Sequence, residues 1–163
     1  MIEFVLENRK LRLHPDGVMY CRSHYRGEET KDETWKAFKF SKSNGYDVCS
    51  ITIDGKKRIF KKHRLVKLAH DPTFDIFDIS SSNFIDHINR TPADNLNENL
   101  RVVTNQENSF NRSNVKGYSW NKARKKWEAY IMTDGKKEYL GYFKTEEEAR
   151  NAYLAAKAIY HII

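Results

Sequence analysis

Three Asp-Gly pairs constrain the fold of this chain more than any other feature of its sequence. They stand at residues 16–17, 54–55 and 134–135, each between short segments rich in β-branched and aromatic residues. Asp-Gly readily adopts the left-handed backbone that tight turns between antiparallel strands require. Antiparallel hairpins are therefore expected, with a type I′ turn at Asp54-Gly55. The predicted strands are residues 2–6, 18–22, 46–53, 57–61, 84–87, 100–103, 117–120, 126–132 and 138–143, with a short aromatic strand around 35–40.

Helices are predicted at three places. An apolar stripe over residues 63–69 has helical spacing and ends at Asp71-Pro72. Two capping boxes, one at residues 104–107 and one at residues 145–148, satisfy orphan amides at the start of the other two helices. The last helix is expected to run to about residue 159 and to cover a small three-stranded sheet. Polar stretches without periodicity predict connections at residues 23–45, 71–84 and 109–116. The expected class is α+β.

The charge of the chain indicates a polyanionic partner. It has 29 Lys and Arg against 22 Asp and Glu, a formal net charge of +7, with 9 Tyr, 9 Phe and 3 Trp. Lysine and arginine pair with phosphates, while aromatic rings pack on sugars and bases, so double-stranded DNA is the expected partner. Residues 56–67 hold seven basic residues and no acid. Such a segment could lie along a phosphate backbone. The alternative is that it is a surface helix whose lysines only keep the protein soluble. The candidate phosphate contacts there are Lys57, Arg58, Lys61, Lys62 and Arg64.

The chain lacks an apolar run long enough to span a bilayer, and its N-terminus lacks the pattern of a signal peptide. A cytoplasmic protein without a membrane partner is therefore expected. Its two cysteines, Cys21 and Cys49, have no partner at zinc-ligand spacing. No structural zinc and no disulfide framework are expected.

Residues 86–108 concentrate the polar chemistry. Asp86 and His87 stand together, an asparagine-rich loop follows, and a strand then leads into the helix that bears Asn108. Asp86 and Asn108 offer oxygen ligands that suit a hard divalent cation, Mg²⁺ or Mn²⁺. His87 is a candidate general base, and Asn99 is placed to brace the loop. The alternative is that these Asp and Asn side chains only cap loop turns.

The combination of Asp86-His87, Asn99 and Asn108 resembles the HNH nucleases in their ββα-metal form, specifically the homing endonucleases of phages and introns. The resemblance covers roughly residues 46–113, including the preceding stretch 63–66, with the ββα motif at about 84–112. It implies an endonuclease domain over residues 1–113. In it Asp86 and Asn108 are metal ligands, His87 is the general base and Asn99 is structural. Histidine is common where this chain has Asn108, so the variant argues against zinc.

Residues 114–163 resemble the AP2 DNA-binding domain, which implies a sheet laid in the major groove. Alternation points Trp127 and Ala129 toward the helix, and Trp127 is expected in the core. The matched positions are Gly117, Lys126, Trp127, Ala129, Ile131, Leu140, Gly141, Phe143, Thr145, 147–149, Ala152 and Tyr153. The candidate DNA contacts are Ser119, Trp120, Lys122, Arg124, Lys125, Tyr130, Met132, Lys137 and Tyr139. Arginines of the plant domains are replaced here by Ser119 and Met132, so their sequence preference does not transfer.

These features predict a metal-dependent DNA endonuclease of homing type, located in the host cytoplasm if it is encoded by a phage. One site per chain implies that a monomer nicks one strand, and a dimer would be needed for concerted double-strand cleavage. Two alternatives remain open. One is a DNA-binding regulator whose HNH motif is degenerate, and the other is a restriction-type nuclease.

Overall fold

The computed structural model describes residues 1–22, 24–25, 28–29, 34–112 and 115–162. The chain forms two compact units, Met1–Asn108 and Ser109–Ile163. The boundary that the sequence predicts, between residues 113 and 114, lies outside the described residues. Helices combine with several small antiparallel sheets, so the predicted α+β class is confirmed.

Unit 1 begins with short strands arranged in three sheets. The sheet orders are β1-β2-β3-β6, β4-β5 and β7-β8-β9. All of their pairings are antiparallel. The strands are β1 (Ile2–Leu6), β2 (Arg9–Leu13), β3 (Met19–Arg22), β4 (His24–Tyr25), β5 (Glu28–Glu29), β6 (Trp35–Ala37), β7 (Ser41–Ser43), β8 (Tyr46–Ile53) and β9 (Lys56–Lys61).

Four of the described strands of this unit were not predicted, namely β2 and, inside the predicted loop 23–45, β4, β5 and β7. Strand β2 follows β1 through a tight turn in which Glu7 adopts a left-handed backbone (φ 53°), a conformation uncommon for glutamate. Strand β7 falls in the predicted loop 23–45 and joins β8 through Asn44-Gly45, whose φ values of 48° and 83° make it a hairpin turn. Residues 23, 26–27 and 30–33 of that loop lie outside the described residues.

The hairpin β8–β9 is confirmed. Asp54 and Gly55 both have positive φ, 48° and 74°, as a type I′ turn requires. Ile51 and Ile53 point into the core, where they meet the apolar face of helix α1 (Lys62–His70). Leu65, Leu68 and Ala69 are buried on that face as the helical spacing predicts, and Val66 is buried beside them.

The rest of unit 1 is a strand, a loop, a second strand and the start of a short helix. Strands β10 (Phe84–His87) and β11 (Leu100–Val103) pair antiparallel, and a 3₁₀ turn at Asn97–Asn99 precedes β11. Helix α2 (Asn105–Phe110) follows. The predicted capping box is confirmed, because the Glu107 amide donates to Thr104 Oγ1 (3.1 Å) and the Thr104 amide donates to Glu107 Oε2 (2.7 Å).

Unit 2 is a three-stranded antiparallel sheet covered by one helix. Its elements are β12 (Tyr118–Asn121), β13 (Lys126–Thr133), β14 (Lys136–Phe143) and α3 (Glu146–Tyr160), with the second predicted capping box at Thr145. Ala129 and Ile131 of β13 are buried with Tyr153 of α3, as alternation predicts. Trp127, which was expected in the core, is only half-buried. Buried Gly117 is required here because a Cβ would overlap the Tyr153 ring and the Tyr130 carbonyl.

Two further expectations concern the cysteines and membrane-spanning segments. Both cysteines are free thiols, and burial raises the pKa of Cys49 to about 12, so its thiol stays protonated. In the part of the chain that the structure describes, the helices are all too short or too polar to cross a membrane.

Candidate active site

Asp86 and His87 are the last two residues of β10, and both side chains are buried, at 6% and 5% exposure. The strand pairing places Asp86 opposite Arg101 and His87 opposite Leu100. The pairing continues past β10, since the Ile88 amide donates to the Asn99 carbonyl at 2.9 Å. A buried carboxylate and a buried imidazole thus occupy consecutive positions of a hydrogen-bonded strand.

The Asp86 carboxylate is bound by a residue that the sequence did not single out. Arg101 donates from Nε (2.9 Å) and Nη2 (2.8 Å) to Asp86 Oδ2. A carboxylate this deeply buried needs such a charge-assisted partner. Arg101 could have been found only from the β10–β11 register, which depends on the length and path of the intervening loop.

His87 lies against two aromatic rings from other parts of unit 1. The His63 ring of α1 meets it edge-on, with centroids 5.2 Å apart and planes at 82°. Tyr46 of β8 lies 6.1 Å from His87 and 5.2 Å from His63. His87 Nε2 also lies 3.4 Å from Asn95 Oδ1. The imidazole plane is therefore constrained by packing as well as by a polar contact.

Asn99 ties together the loop that follows His87. Its Oδ1 accepts from the Asn89 amide (2.9 Å), while its Nδ2 donates to Asn89 Oδ1 (3.0 Å) and to the Asp94 carbonyl (2.9 Å). Its own side chain is buried at 8% exposure. These bonds hold the turn that begins where the Arg90 amide donates to the His87 carbonyl (2.8 Å).

Asn108 lies in the first turn of α2, where its amide donates to the Thr104 carbonyl at 2.9 Å. Its side chain is half-buried. Asp86 and Asn108 both belong to unit 1, and a carboxylate with an amide oxygen suits Mg²⁺ or Mn²⁺. Among the described residues, His, Cys, Asp and Glu do not form any group of three that could hold a metal ion.

His63 has an unusual ionisation. Burial, and then the nearby His87, Lys61 and Arg64, lower the pKa of its imidazole to about 3. The ring is 4% exposed, so it is held neutral next to His87 throughout the physiological range. A neutral His63 ring can pack against His87 without placing a positive charge beside it.

The acid stability of the protein should depend on His63. Below pH 6.5, His63 gains a proton in the unfolded chain but not in the folded one, so the free energy of unfolding falls as pH falls. Its contribution reaches about 1.4 kcal/mol for each pH unit. We expect the His63→Phe variant to lose this part of the slope in urea titrations from pH 7 to about pH 4. The exposed His70, on the same helix, provides the control: a His70→Phe variant with an equally flattened slope would contradict the assignment.

The predicted phosphate contacts of unit 1 differ in how exposed their side chains are. Lys57, Arg58 and Lys61 are exposed on β9, and Lys61 Nζ lies 4.6 Å from the centre of the Tyr46 ring. Lys62 is half-buried, with Nζ 5.3 Å from the Phe40 ring. Lys61 is thus a cation close to the rings that surround His87.

Arg64 has a different role. Its guanidinium donates five hydrogen bonds of 2.8–3.2 Å to four backbone carbonyls. Burial lowers its pKa, opposed by the carboxylates of Asp78 and Asp75. Because its donors are used inside the protein, Arg64 is left out of the proposed DNA surface. The carbonyls belong to Asp75, Ile76, Asp78 and Asn83.

The predicted contacts of unit 2 are mostly exposed. Lys122, Arg124 and Lys125 form the exposed turn between β12 and β13. Trp120 is 46% exposed and packs edge-on against the half-buried Trp127. Lys137 Nζ lies 3.8 Å from the half-buried Tyr130 ring and 4.9 Å from the exposed Tyr139 ring. Met132 is 45% exposed.

Ser119 faces an acid. Its hydroxyl donates to Glu128 Oε1 at 3.3 Å, and Asn121 donates to Glu128 Oε2 at 3.0 Å. The hydrogen bond from Asn121, followed by that from Ser119, lowers the Glu128 pKa. The Glu128 carboxylate is therefore ionised and accepts the hydrogen bond of the Ser119 hydroxyl. This makes Ser119 the weakest of the predicted phosphate contacts.

Comparison with known proteins gives partial similarities. The chain is 37% identical to Protein 3.8 of Escherichia phage T7 over 60 residues, which cover 32% of the chain and 50% of that protein. It is 35% identical to an uncharacterized HNH endonuclease of Acanthamoeba polyphaga mimivirus over 78 residues, which cover 46% of the chain and 41% of that protein. The chain thus spans at most about half the length of these relatives. No protein-family model and no solved structure matches it. The chain that bears Asp86 and His87 is therefore similar, over less than half of its length, to a protein named as an HNH endonuclease.

Proposed function

We propose that this protein is a metal-dependent DNA endonuclease of the HNH type. The observation that carries the proposal is the pair Asp86 and His87, consecutive in sequence and both buried at the end of β10, followed by a braced loop, β11 and the helix bearing Asn108. The partial similarity to a protein named as an HNH endonuclease supports it. The net charge of +7 favours a polyanionic substrate.

In the proposed reaction, His87 accepts a proton from a water molecule as the water oxygen forms a bond to phosphorus. The bond from phosphorus to the 3′ oxygen breaks, and that oxygen takes a proton from solvent. The products are a 5′ phosphate and a 3′ hydroxyl, and His87 returns its proton to solvent. Such a base needs a fixed imidazole, which the contacts with His63, Tyr46 and Asn95 support.

Asp86 and Asn108 would hold the divalent cation, and Arg101 orients the Asp86 carboxylate. When bound, the cation supplies positive charge to the phosphate and to the departing oxygen. An oxygen donor set favours Mg²⁺ or Mn²⁺ over zinc. Asn99 keeps the loop after His87 in place through its three side-chain hydrogen bonds.

Relaxation of supercoiled plasmid tests the activity. The wild-type protein should nick the plasmid with Mg²⁺ or Mn²⁺ and should be inactive with a chelator. Failure to nick any DNA, with tight DNA binding retained, would favour the alternative of a DNA-binding regulator with a degenerate site. A homing role further requires a single long, tolerant target site, whereas a restriction-type nuclease would cut at many short sites. Mapping of cleavage ends distinguishes the two.

We also propose that unit 2 is an AP2-like module that grips DNA through its sheet. The exposed turn at residues 122–125 and the aromatic and lysine side chains around Tyr139 support this role. Lysine and arginine at such a surface set affinity by neutralising phosphates, with little information about sequence.

Removal of three charges from that turn should weaken DNA binding. Lys122→Gln, Arg124→Gln and Lys125→Gln together are expected to reduce the slope of log affinity against log salt by up to about 3, one for each lost phosphate contact. Fluorescence anisotropy with labelled duplex DNA measures the slope. A control with the same charge change is Lys116→Gln, Arg150→Gln and Lys144→Gln, exposed residues outside the turn. Equal slopes for the two variants would show that the turn does not contact DNA.

A further inference from the structure

The Asn95 side chain stands between His87 and an acid from a distant part of unit 1. Its Oδ1 lies 3.4 Å from His87 Nε2, and its Nδ2 lies 3.4 Å from Asp47 Oδ2 and 3.1 Å from the Ala93 carbonyl oxygen. The two contacts of 3.4 Å are longer than the usual N–H···O distance of about 2.7–3.2 Å. The three groups nevertheless form a continuous row from β8 to β10.

The partners of Asn95 fix which way its amide points. The Asp47 carboxylate and the Ala93 carbonyl can only accept hydrogen bonds, so the NH₂ group of Asn95 has to face them. The amide oxygen is then directed at His87. The reverse orientation would oppose oxygen to oxygen at two contacts at once.

The Asn95 oxygen in turn fixes the tautomer of His87. An amide oxygen is only an acceptor, so His87 Nε2 has to carry the hydrogen in this contact. In a neutral imidazole the lone pair is then on Nδ1. The nitrogen that could act as the base is thereby determined by a residue that does not itself react.

Asp47 is well placed to hold this arrangement. Its carboxylate is 19% exposed and pairs with Lys42 Nζ at 2.8 Å on the neighbouring strand β7. The pair holds the Asp47 carboxylate where it can accept a hydrogen bond from Asn95. The orientation of His87 thus depends on two strands that lie some 40 residues earlier in the chain.

We propose that Asn95, oriented by Asp47, is a positioning residue that holds His87 as the Nε2–H tautomer with Nδ1 as the base. The inference rests on the proposed function for its catalytic consequence, but the tautomer itself is independent of activity. Loss of such an orienting partner costs roughly 10- to 100-fold in activity. We expect the loss to fall on kcat and to leave KM for DNA unchanged.

Nitrogen-15 NMR of histidine-labelled protein tests the tautomer directly. At about pH 8, where imidazoles are ordinarily neutral, the protonated and unprotonated ring nitrogens resonate far apart. The His87 signals are assigned by their absence from a His87→Gln sample. The wild type should show hydrogen on Nε2, and Asn95→Leu should shift the population toward Nδ1–H or to a mixture. Asn151→Leu, on the exposed surface of α3, makes the same chemical change as a control.

Exchanging the side chains at positions 47 and 95 provides a rescue experiment for the His87 tautomer. Asn95→Asp alone places two carboxylates together and should disturb the site. The double variant Asn95→Asp with Asp47→Asn restores one acceptor toward His87 and one donor between positions 47 and 95, so it should recover the Nε2–H tautomer and most of kcat. Backbone amide spectra confirm that each variant is folded. An Asn95→Leu protein that keeps the wild-type tautomer and kcat would overturn the inference. If the wild type does not cut DNA, the proposed function fails while the NMR result still decides this point.

Discussion

The His87→Ala variant is expected to lose metal-dependent DNA cleavage by roughly 10²- to 10⁴-fold, the contribution that a positioned general base makes. The reason is geometric. His87 is 5% exposed at the end of β10, and its ring is fixed by His63, Tyr46 and Asn95. No small side chain at position 87 can accept the proton from water at that place.

Single-turnover nicking of supercoiled plasmid measures the effect, because it separates chemistry from product release. DNA affinity should be unchanged, since the charges expected to contact phosphate lie elsewhere. The exposed His70 is the matched control, and His70→Ala should cut at the wild-type rate. Wild-type cleavage by the His87→Ala protein would remove His87 from the mechanism and move the base to another residue.

His63→Phe separates the reacting ring from the ring that supports it. Phenylalanine can replace the edge-on contact of 5.2 Å with His87 but cannot bind or release a proton. Cleavage that survives in His63→Phe and disappears in His87→Ala would assign the base to His87. The opposite pattern would assign it to His63, which is difficult to reconcile with a pKa of about 3 for an acid-base catalyst at neutral pH.

Local chemistry in the sequence was sufficient to predict several elements of both units. Asp54-Gly55 predicted a hairpin because two consecutive left-handed residues suit few dipeptides. Thr104 and Glu107 predicted the start of α2 because their reciprocal bonds depend only on spacing along the chain. Alternation predicted the burial of Ala129 and Ile131 in β13, but Trp127 at the start of that face is only half-buried. Each of these signals acts over a few residues.

The features of the site that were not predicted from the sequence depend on contacts between distant residues. Arg101 reaches Asp86 only through the β10–β11 register, and Asp47 reaches Asn95 across 48 residues of sequence. Neither separation leaves a periodic pattern that sequence reasoning can detect. Strand β7 is a different case, because Asn44-Gly45 was a local hairpin signal that the polar composition of its surroundings obscured.

Arg64 was predicted to contact phosphate because it is a basic residue, but its side chain binds backbone carbonyls inside the protein. A run of basic residues around it favoured phosphate contact, yet its guanidinium organises the connection between α1 and β10. Asn83 assists, with Nδ2 donating to the carbonyls of Asp75 (2.7 Å) and Asp78 (2.9 Å). The carboxylates of Asp75 and Asp78 cap turns within the same segment. The connection thus has a polar core, and it leads directly into the strand that bears Asp86.

Replacement of Arg64 should therefore destabilise unit 1 strongly. In Arg64→Met the carbonyls of Ile76 and Asn83 lose the guanidinium donors, and we expect the free energy of unfolding to fall by about 3 kcal/mol or more. Arg64→Lys should recover only part of this, because one ammonium cannot span the carbonyls that a planar guanidinium reaches. Arg58→Met, a change at an exposed arginine of β9, should cost less than about 1 kcal/mol.

Hydrogen exchange followed by mass spectrometry resolves the two units in one experiment. In Arg64→Met, peptides from residues 62–87 should exchange much faster than in the wild type, since the opening free energy of that segment includes the lost bonds. Peptides from α3 in unit 2 should be unaffected, because the hydrogen bonds that Arg64 makes are to unit 1. Wild-type exchange over residues 74–84 in Arg64→Met would mean that the connection holds β10 without the guanidinium, and Arg64 would then return to the candidate phosphate contacts.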